Sequence, residues 1–240
     1  ATVPLYRAVY GVPKAWRAWG VRRFGFHGAS HGYIAHCVQE RHPECRRVVS
    51  VHLGGSSSLC AIRDGKSVFT TMGATPQSGL FHNNRVGDFD PFCLHVLEKK
   101  LGGMDAVWDA LSTKSGFLGL SGISNDMRRI ETEAEEGDPD ARLAIDAFCD
   151  NIAGYIGMAS AYLGGLDAVV FTGGIGQKSA VTRSKALSNF AYLGVMLDEE
   201  ANRANRAVIS GPNSAVTVLV METDEEWMIA TQVRIWLAES

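Results

Sequence analysis

The sequence predicts an α/β fold built on a mixed sheet, with a three-strand antiparallel meander joined by two later parallel strands. Three observations predict it. Runs at 47–53, 58–63 and 66–72 are apolar or alternating, and Asp64-Gly65 between the last two is a strong two-residue hairpin signal. Buried-strand runs recur at 167–172 and 216–221, each with a helical pattern behind it. Right-handed crossovers then set these later strands parallel in the same sheet.

The whole-chain numbers bound the function. At 240 residues, 46% hydrophobic and 20% charged, the chain is an ordinary globular protein large enough for a substantial core. A net charge of -3 gives no reason to expect nucleic acid or an acidic membrane as partner. The scattered Cys37, Cys45, Cys60, Cys93 and Cys149 form no C-x-x-C pair. That argues for free thiols in a reducing cytoplasm, against a disulfide frame or a zinc ribbon. No signal peptide opens the chain, and no uninterrupted apolar span could cross a bilayer. The chain opens at Ala1 within a segment rich in proline and aromatic residues, so Ala1 need not be the natural start.

In order, residues 1–23 read as an extended lead-in and a short helix lying on something apolar. Phe24-Gly-Phe-His-Gly-Ala-Ser-His31 follows, then a helical stretch to about Arg41 that Pro43 ends. His27 and His31 either face one way as a metal pair or flank a turn at Gly28 and Ser30; no convincing third ligand accompanies them. Gly54-Gly-Ser-Ser-Ser58, after the first strand, is either a phosphate cradle of backbone N–H groups or a plain hairpin turn. Residues 73–91 have no period, and a loop that long in a compact domain points to function. Asp90-Pro91 should cap the next helix.

Helices are expected near 91–101 and 104–113, an irregular segment at 116–122, and a helix from Asn125 to about Glu136 whose Glu131, Glu133, Glu135 and Glu136 form a solvated face. Asp138-Pro139 starts a long helix with Phe148, Ile152, Tyr155, Ile156, Ala159, Tyr162 and Leu163 on its sheet-packing side. The strand at 167–172 stops at Gly173-Gly174-Ile175-Gly176, and a helix opens at Ser179, an N-cap residue. Strand, glycine loop and helix N-terminus together offer N–H groups and a positive dipole end to phosphate. A polar helical stretch near 198–206 and a closing helix from Thr223 complete the chain, with Thr223 and Glu226 as a capping box that leaves Glu225 free.

Seven motifs, in this order, resemble the acetate kinase family: Arg22-Arg-Phe-Gly-Phe-His-Gly-Ala-Ser-His31, Val51-His-Leu-Gly54, Asp64-Gly-Lys-Ser67, Met72-Gly-Ala-Thr-Pro76, Arg85-Val-Gly-Asp88, Phe171-Thr-Gly-Gly-Ile-Gly176 and Thr223-Asp-Glu-Glu226. The resemblance runs from about Pro4 to the C-terminus. It implies the actin, sugar-kinase and Hsp70 architecture: a ribonuclease-H-like domain with helices on both faces of its sheet. Residues 46–240 would form the C-terminal nucleotide-binding domain, with 1–45 a lead-in carrying the His27/His31 motif. It also implies phosphoryl transfer between ATP and acetate or another short carboxylate, with Mg2+, in a homodimer. His27 and Arg85 would be catalytic, stabilising the transferring phosphoryl group. His52, Leu53, Gly54, Gly55 and Ser56 would line the triphosphate; Asp126, Met127 and Arg128, with Gly174, Ile175, Gly176, Gln177 and Lys178, would hold nucleoside and phosphates. Glu225 would position the metal.

The residue types suit that chemistry, which needs in-line positioning and donors around three equatorial oxygens more than a strong base. Read without the family, Arg85 is a loop anchor and Glu225 a favourable charge at a helix start. The family's Phe-Asp-Thr-type motif with its catalytic aspartate precedes the position matching Pro4, so the resemblance is to a C-terminal part. A non-catalytic nucleotide-binding or dimerisation module is therefore the alternative reading, as is a kinase for propionate. Inside the motifs, Gly55-Ser56 stands for Asn-Gly, Gln177-Lys178 for Glu-Asn, Asn83-Asn84 for Gly-Thr, and Val86 for a serine.

Overall fold

The computed structural model describes residues 2–239, and side chains through Leu237 and Ala238; Ala1 and Ser240, the outer ends of the two expected segments, lie outside the described residues. Two short helices, α1 (Leu5–Ala8) and α2 (Lys14–Ala18), form the lead-in, and α3 (Gly28–Arg41) follows. Then come β1 (Arg47–Leu53), β2 (Ser57–Arg63) and β3 (Lys66–Thr70). A 3-10 turn at Pro91–Cys93, capped by Asp90 as expected, leads into α4 (Leu94–Leu101). The chain continues through α5 (Met104–Thr113), α6 (Gly116–Ser121), α7 (Met127–Glu136) and α8 (Pro139–Leu163). It ends with β4 (Ala168–Thr172), α9 (Gly173–Lys178), α10 (Ala180–Leu187), α11 (Glu199–Arg203), β5 (Thr217–Val220) and α12 (Glu225–Glu239).

The sheet order is β3-β2-β1-β4-β5. β1, β2 and β3 pair antiparallel, while β4 lies parallel to β1 and β5 parallel to β4, as the crossover rule predicts. The β2–β3 turn has φ of 50° at Asp64 and 73° at Gly65, the double left-handed conformation that Asp-Gly favours. Because side chains alternate along a strand, each strand feeds two cores. Val49, Val51, Leu53, Val169 and Phe171 pack with Phe148, Ile152 and Ile156 of α8. On the opposite face Val48, Cys60, Ile62, Val170 and Leu219 pack with Ile34 and Val38 of α3, and α12 packs against α3. Helices thus cover both faces.

Several local expectations are corrected. Residues 116–121 are helical: Gly116, at φ +60, lies so close to the His82 carbonyl that a Cβ would stand 2.0 Å from it, and the Phe117 N–H donates to that carbonyl. This tertiary clip starts a helix that no sequence signal announces. Gly28 and Ser30 lie in the first turn of α3, not in a loop. The glycine run after β4 is itself the short helix α9, and Ser179 caps the next helix, α10. The capping box fails: Asp224 Oδ1 accepts the Trp227 N–H at 2.8 Å, while the Thr223 hydroxyl is buried without a partner. The helix starts at Glu225, one residue later than the box requires, so Asp224 is its N-cap and accepts the N–H three residues on, while Thr223 lies one residue too early to do so.

Candidate functional site

The carboxyl ends of β1 and β4 face a polar network rather than packed apolar chains. At the start of α3, His27 has φ 58° and ψ 30°, a left-handed conformation unusual outside glycine, and makes no side-chain cap. His27 Nδ1 lies 2.7 Å from Ser58 Oγ, and the same oxygen is 2.8 Å from His31 Nε2. His31 Nδ1 is 2.9 Å from Ser50 Oγ, and Ser30 Oγ is 2.8 Å from His52 Nδ1. The His27 and His52 rings stack with centroids 4.3 Å apart. Both ring nitrogens of His31 are thus taken by serines, which removes the metal-pair reading, and no metal-holding group of three His, Cys, Asp or Glu occurs among the described residues.

Burial keeps these imidazoles neutral. It lowers the His27 pKa to about 4, helped by His52 and Arg85 and opposed by Glu225, and it holds His31 well below its usual value. His52 is lowered by burial alone. Glu225 stands in the first turn of α12, which packs against α3.

A cavity of about 480 Å³ opens beside this network, lined by Gly54 and Gly55, Asn83, Asn125 to Arg128, Glu131, Gly174, Ile175, Lys178 and Ser179. Of the residues expected to hold nucleotide, Gly54, Gly55, Asp126, Met127, Arg128, Gly174, Ile175 and Lys178 meet here. His52, Leu53, Ser56, Gly176 and Gln177 are not in its wall; Leu53 is wholly buried in the core, and Gly176 is packed behind Phe171. Asp126 caps α7 through the Arg128 N–H and pairs with the Arg128 guanidinium. Gly173 has φ +76, and a Cβ there would stand 2.6 Å from the Leu53 carbonyl, so only glycine lets α9 begin against β1.

Glu131 is corrected from solvated face to cavity wall. It is half-buried, it accepts the Ser179 hydroxyl, and burial raises its pKa. Ser179 therefore ties α7 to the start of α10, a contact that α7's own periodicity cannot show.

The long loop brings in a residue the sequence reading passed over. His82 is fully buried, and its Nδ1 accepts the Ser57 backbone N–H at 2.8 Å. Its pKa falls to about 4 through burial and then through Arg85 and His27. Its own N–H donates to the Arg85 carbonyl, so the residue that shapes the Gly54–Ser57 turn also shapes the Arg85 loop. Arg85 itself donates to the Pro76 carbonyl at 3.1 Å and pairs with no carboxylate among the described residues. His82 carries no helical or strand period, and only its loop's length hinted at it.

The residues fit a nucleotide with its metal. Asn83 Oδ1 in the cavity wall, Thr172 Oγ1 at the end of β4 and His82 Nε2 in the loop before Asn83 are buried without a partner among the described residues, where polar groups are normally satisfied. The N-terminus of α9 has no side-chain cap, and its Gly174 shares the cavity wall with Gly54 and Gly55. Asp126 and Glu131 are the carboxylates in the cavity wall, while Glu225, the residue expected at the metal, lines a separate pocket with Tyr33 and Glu222; a magnesium ion completed by phosphates and water needs only one or two carboxylates.

With this geometry in view, the similarities are specific. The profile described as the acetokinase family matches residues 1–231. An acetate kinase from Caldicellulosiruptor bescii is 42% identical across 99% of this chain and 62% of its own length. A propionate kinase from Citrobacter rodentium is 45% identical across 98% of this chain and 60% of its own. The acetate kinase structure from Porphyromonas gingivalis superposes with a TM-score of 0.93 at 37% identity, covering 98% of this chain and 61% of that one. A propionate kinase structure from Francisella tularensis subsp. tularensis gives 0.91 at 36% identity, covering 96% of this chain and 60% of that one. The chain spans about three fifths of the length of these relatives.

Proposed function

The chain belongs to the acetokinase family, and from that premise we propose that it is the nucleotide-binding part of a kinase that moves phosphoryl groups between ATP and a short carboxylate. The observation that carries the proposal is the cavity lined by Gly54, Gly55 and Gly174 together with Asp126 and Arg128, to which this reading adds His27 and Arg85 as the groups acting on the phosphates. In this reading residues 46–240 are the nucleotide domain, and the lead-in at 1–45 delivers His27 to it.

The roles follow from the groups. Gly54, Gly55 and Gly174 let backbone N–H groups approach phosphate oxygens without a side chain between. His27 and His52, neutral at physiological pH, donate N–H bonds without the desolvation penalty of a second buried cation. Arg85 supplies the charge, a planar fork suited to a phosphoryl group passing between two anions. Lys178 adds a flexible cation at the cavity wall. Magnesium, bound with the nucleotide and held through Glu225, would offset charge on the phosphate oxygens. The acid is acetate or propionate, since the two kinds of relative are nearly equal in identity. We also expect a cytoplasmic homodimer, which light scattering tests.

Calorimetry on the 240-residue chain tests the core of this reading, with ADP binding expected and enhanced by magnesium. No binding heat would remove the nucleotide assignment. In the hydroxamate assay, these 240 residues with Mg-ATP and acetate or propionate should give no acyl phosphate. Product would show that the remaining two fifths of the relatives' length is dispensable.

A further inference from the structure

The chain Ser50–His31–Ser58–His27 admits two directions of donation, and burial separates them. In one, Ser50 donates to His31 Nδ1, His31 Nε2–H donates to Ser58, and the Ser58 hydroxyl donates to His27 Nδ1. In the other every arrow reverses, and His31 Nδ1–H donates to Ser50 Oγ. Ser50 is fully buried in the central strand, and Ser50 Oγ has no other hydrogen-bond partner among the described residues. The reversed direction therefore strands a buried hydroxyl proton, whereas the first leaves none. A proton on Nδ1 of His27 would meet a Ser58 oxygen already donating to it.

We propose that Ser50, His31 and Ser58 are positioning residues that fix His27 as the Nε2–H tautomer, so that its free ring nitrogen is always a donor toward the phosphoryl site. The inference rests on the kinase reading for its purpose but not for its geometry. His52 obeys the same logic: Ser30 is fully buried, Ser30 Oγ has only His52 Nδ1 as partner, and its proton can go nowhere else. His82 Nδ1 accepts a backbone N–H, which has only one direction. Four imidazoles, those of His27, His31, His52 and His82, thus carry their protons on Nε2, and each is held by a donor at Nδ1. A donor of fixed direction suits an anionic group, because a ring free to exchange tautomers would offer a lone pair to phosphate part of the time.

Long-range 1H–15N correlation spectra of the 15N-labelled chain near pH 7 decide the point, because the two ring nitrogens of each tautomer differ widely in shift. The expected result is a single Nε2–H tautomer for His27, His31 and His52. In Ser58→Ala, and more weakly in Ser50→Ala, the His27 nitrogens should move toward the average of the two tautomers. Ser50 does not touch His27, so a merely structural serine would not produce that shift. The proposal is overturned if wild-type His27 carries its proton on Nδ1. It is equally overturned if both folded variants keep the wild-type His27 shifts. Should the variants fail to fold, the wild-type spectrum alone still decides. Failure of ADP to bind would remove the kinase reading and leave this measurement standing.

Discussion

At His27 the backbone and side chain are held against their preferences. A left-handed non-glycine residue costs about 1–3 kcal/mol, and burial of an imidazole adds to that. The bond to Ser58 and the stack on His52 offset the strain and set the ring at the site. Burial has a consequence in pH. His27 and His82 titrate at about 4 in the fold against 6.5 for a free imidazole. Between those values the unfolded chain binds protons that the folded chain refuses. Their stabilising effect is therefore complete above about pH 6.5 and is lost as pH falls toward 4. Urea melts near pH 5 and pH 7 should show the loss, and His82→Asn, which keeps an acceptor near the Nδ1 position, should reduce it. An equal loss in wild type and variant would mean that His82 is not the group responsible. Arg85 behaves differently, its side chain having one carbonyl bond to give up among the described residues. If the proposed kinase reading holds, Arg85→Ala should leave the melt within about 0.5 kcal/mol while lowering kcat about 10²- to 10³-fold, with little change in nucleotide KM. Early melting with kcat retained would make it a loop anchor.

The elements around the site depend on a few end residues. Asp224 caps α12 through the Trp227 N–H, so Asp224→Ala should cost roughly 0.5–2 kcal/mol. Glu226→Ala should change stability by no more than about 0.5 kcal/mol. Thermal melts rank the two, and the reverse order would restore the Thr223 box. At α9 the glycines divide by role. Gly173→Ala drives a Cβ into the Leu53 carbonyl from a φ that alanine avoids, so the variant should unfold well below wild type. A Cβ at Gly174 meets nothing within 4 Å. Gly174→Val should therefore keep nearly the wild-type melt while losing ADP affinity, because the only thing it crowds is the cavity. Unchanged affinity would make the loop a turn and nothing more. Among these ends, Asp138-Pro139 and Asp90-Pro91 were plain in the sequence because proline and the cap residue act locally.

Across the whole molecule, one sheet separates a large α8-centred core from a smaller one under α3, and the site lies where β1 and β4 emerge between them. Phe81, Phe117 and Phe148 pack together, with Phe117 and Phe148 centroids 4.5 Å apart, so the Arg85 loop is fastened to the larger core. A ligand in the cavity bridges α7, α9 and the β1–β2 turn at once. Binding there should stabilise the entire fold, by about 2.7 kcal/mol at a hundred times Kd. Melting the chain with and without ADP checks this, and a melting temperature indifferent to ADP would count against the cavity as its site.

The sequence by itself determined the strands, the meander, the parallel additions and most of the glycine wall, because alternation, Asp-Gly turns and proline starts act through neighbours a few residues away. It also carried seven motifs that identified the family. The tertiary structure decided the rest. Glu131 reads as one of several exposed acids on α7, and only Ser179, 48 residues along, turns it into a wall of the cavity. His82 is silent in a loop without period until the Ser57 N–H finds it. Ser50 and Ser58 look like polar interruptions of strands, yet on the sheet face that α3 covers they meet the His31 and His27 rings. Such roles depend on which protons have a buried acceptor, and that is settled only when distant segments are packed together and water is gone.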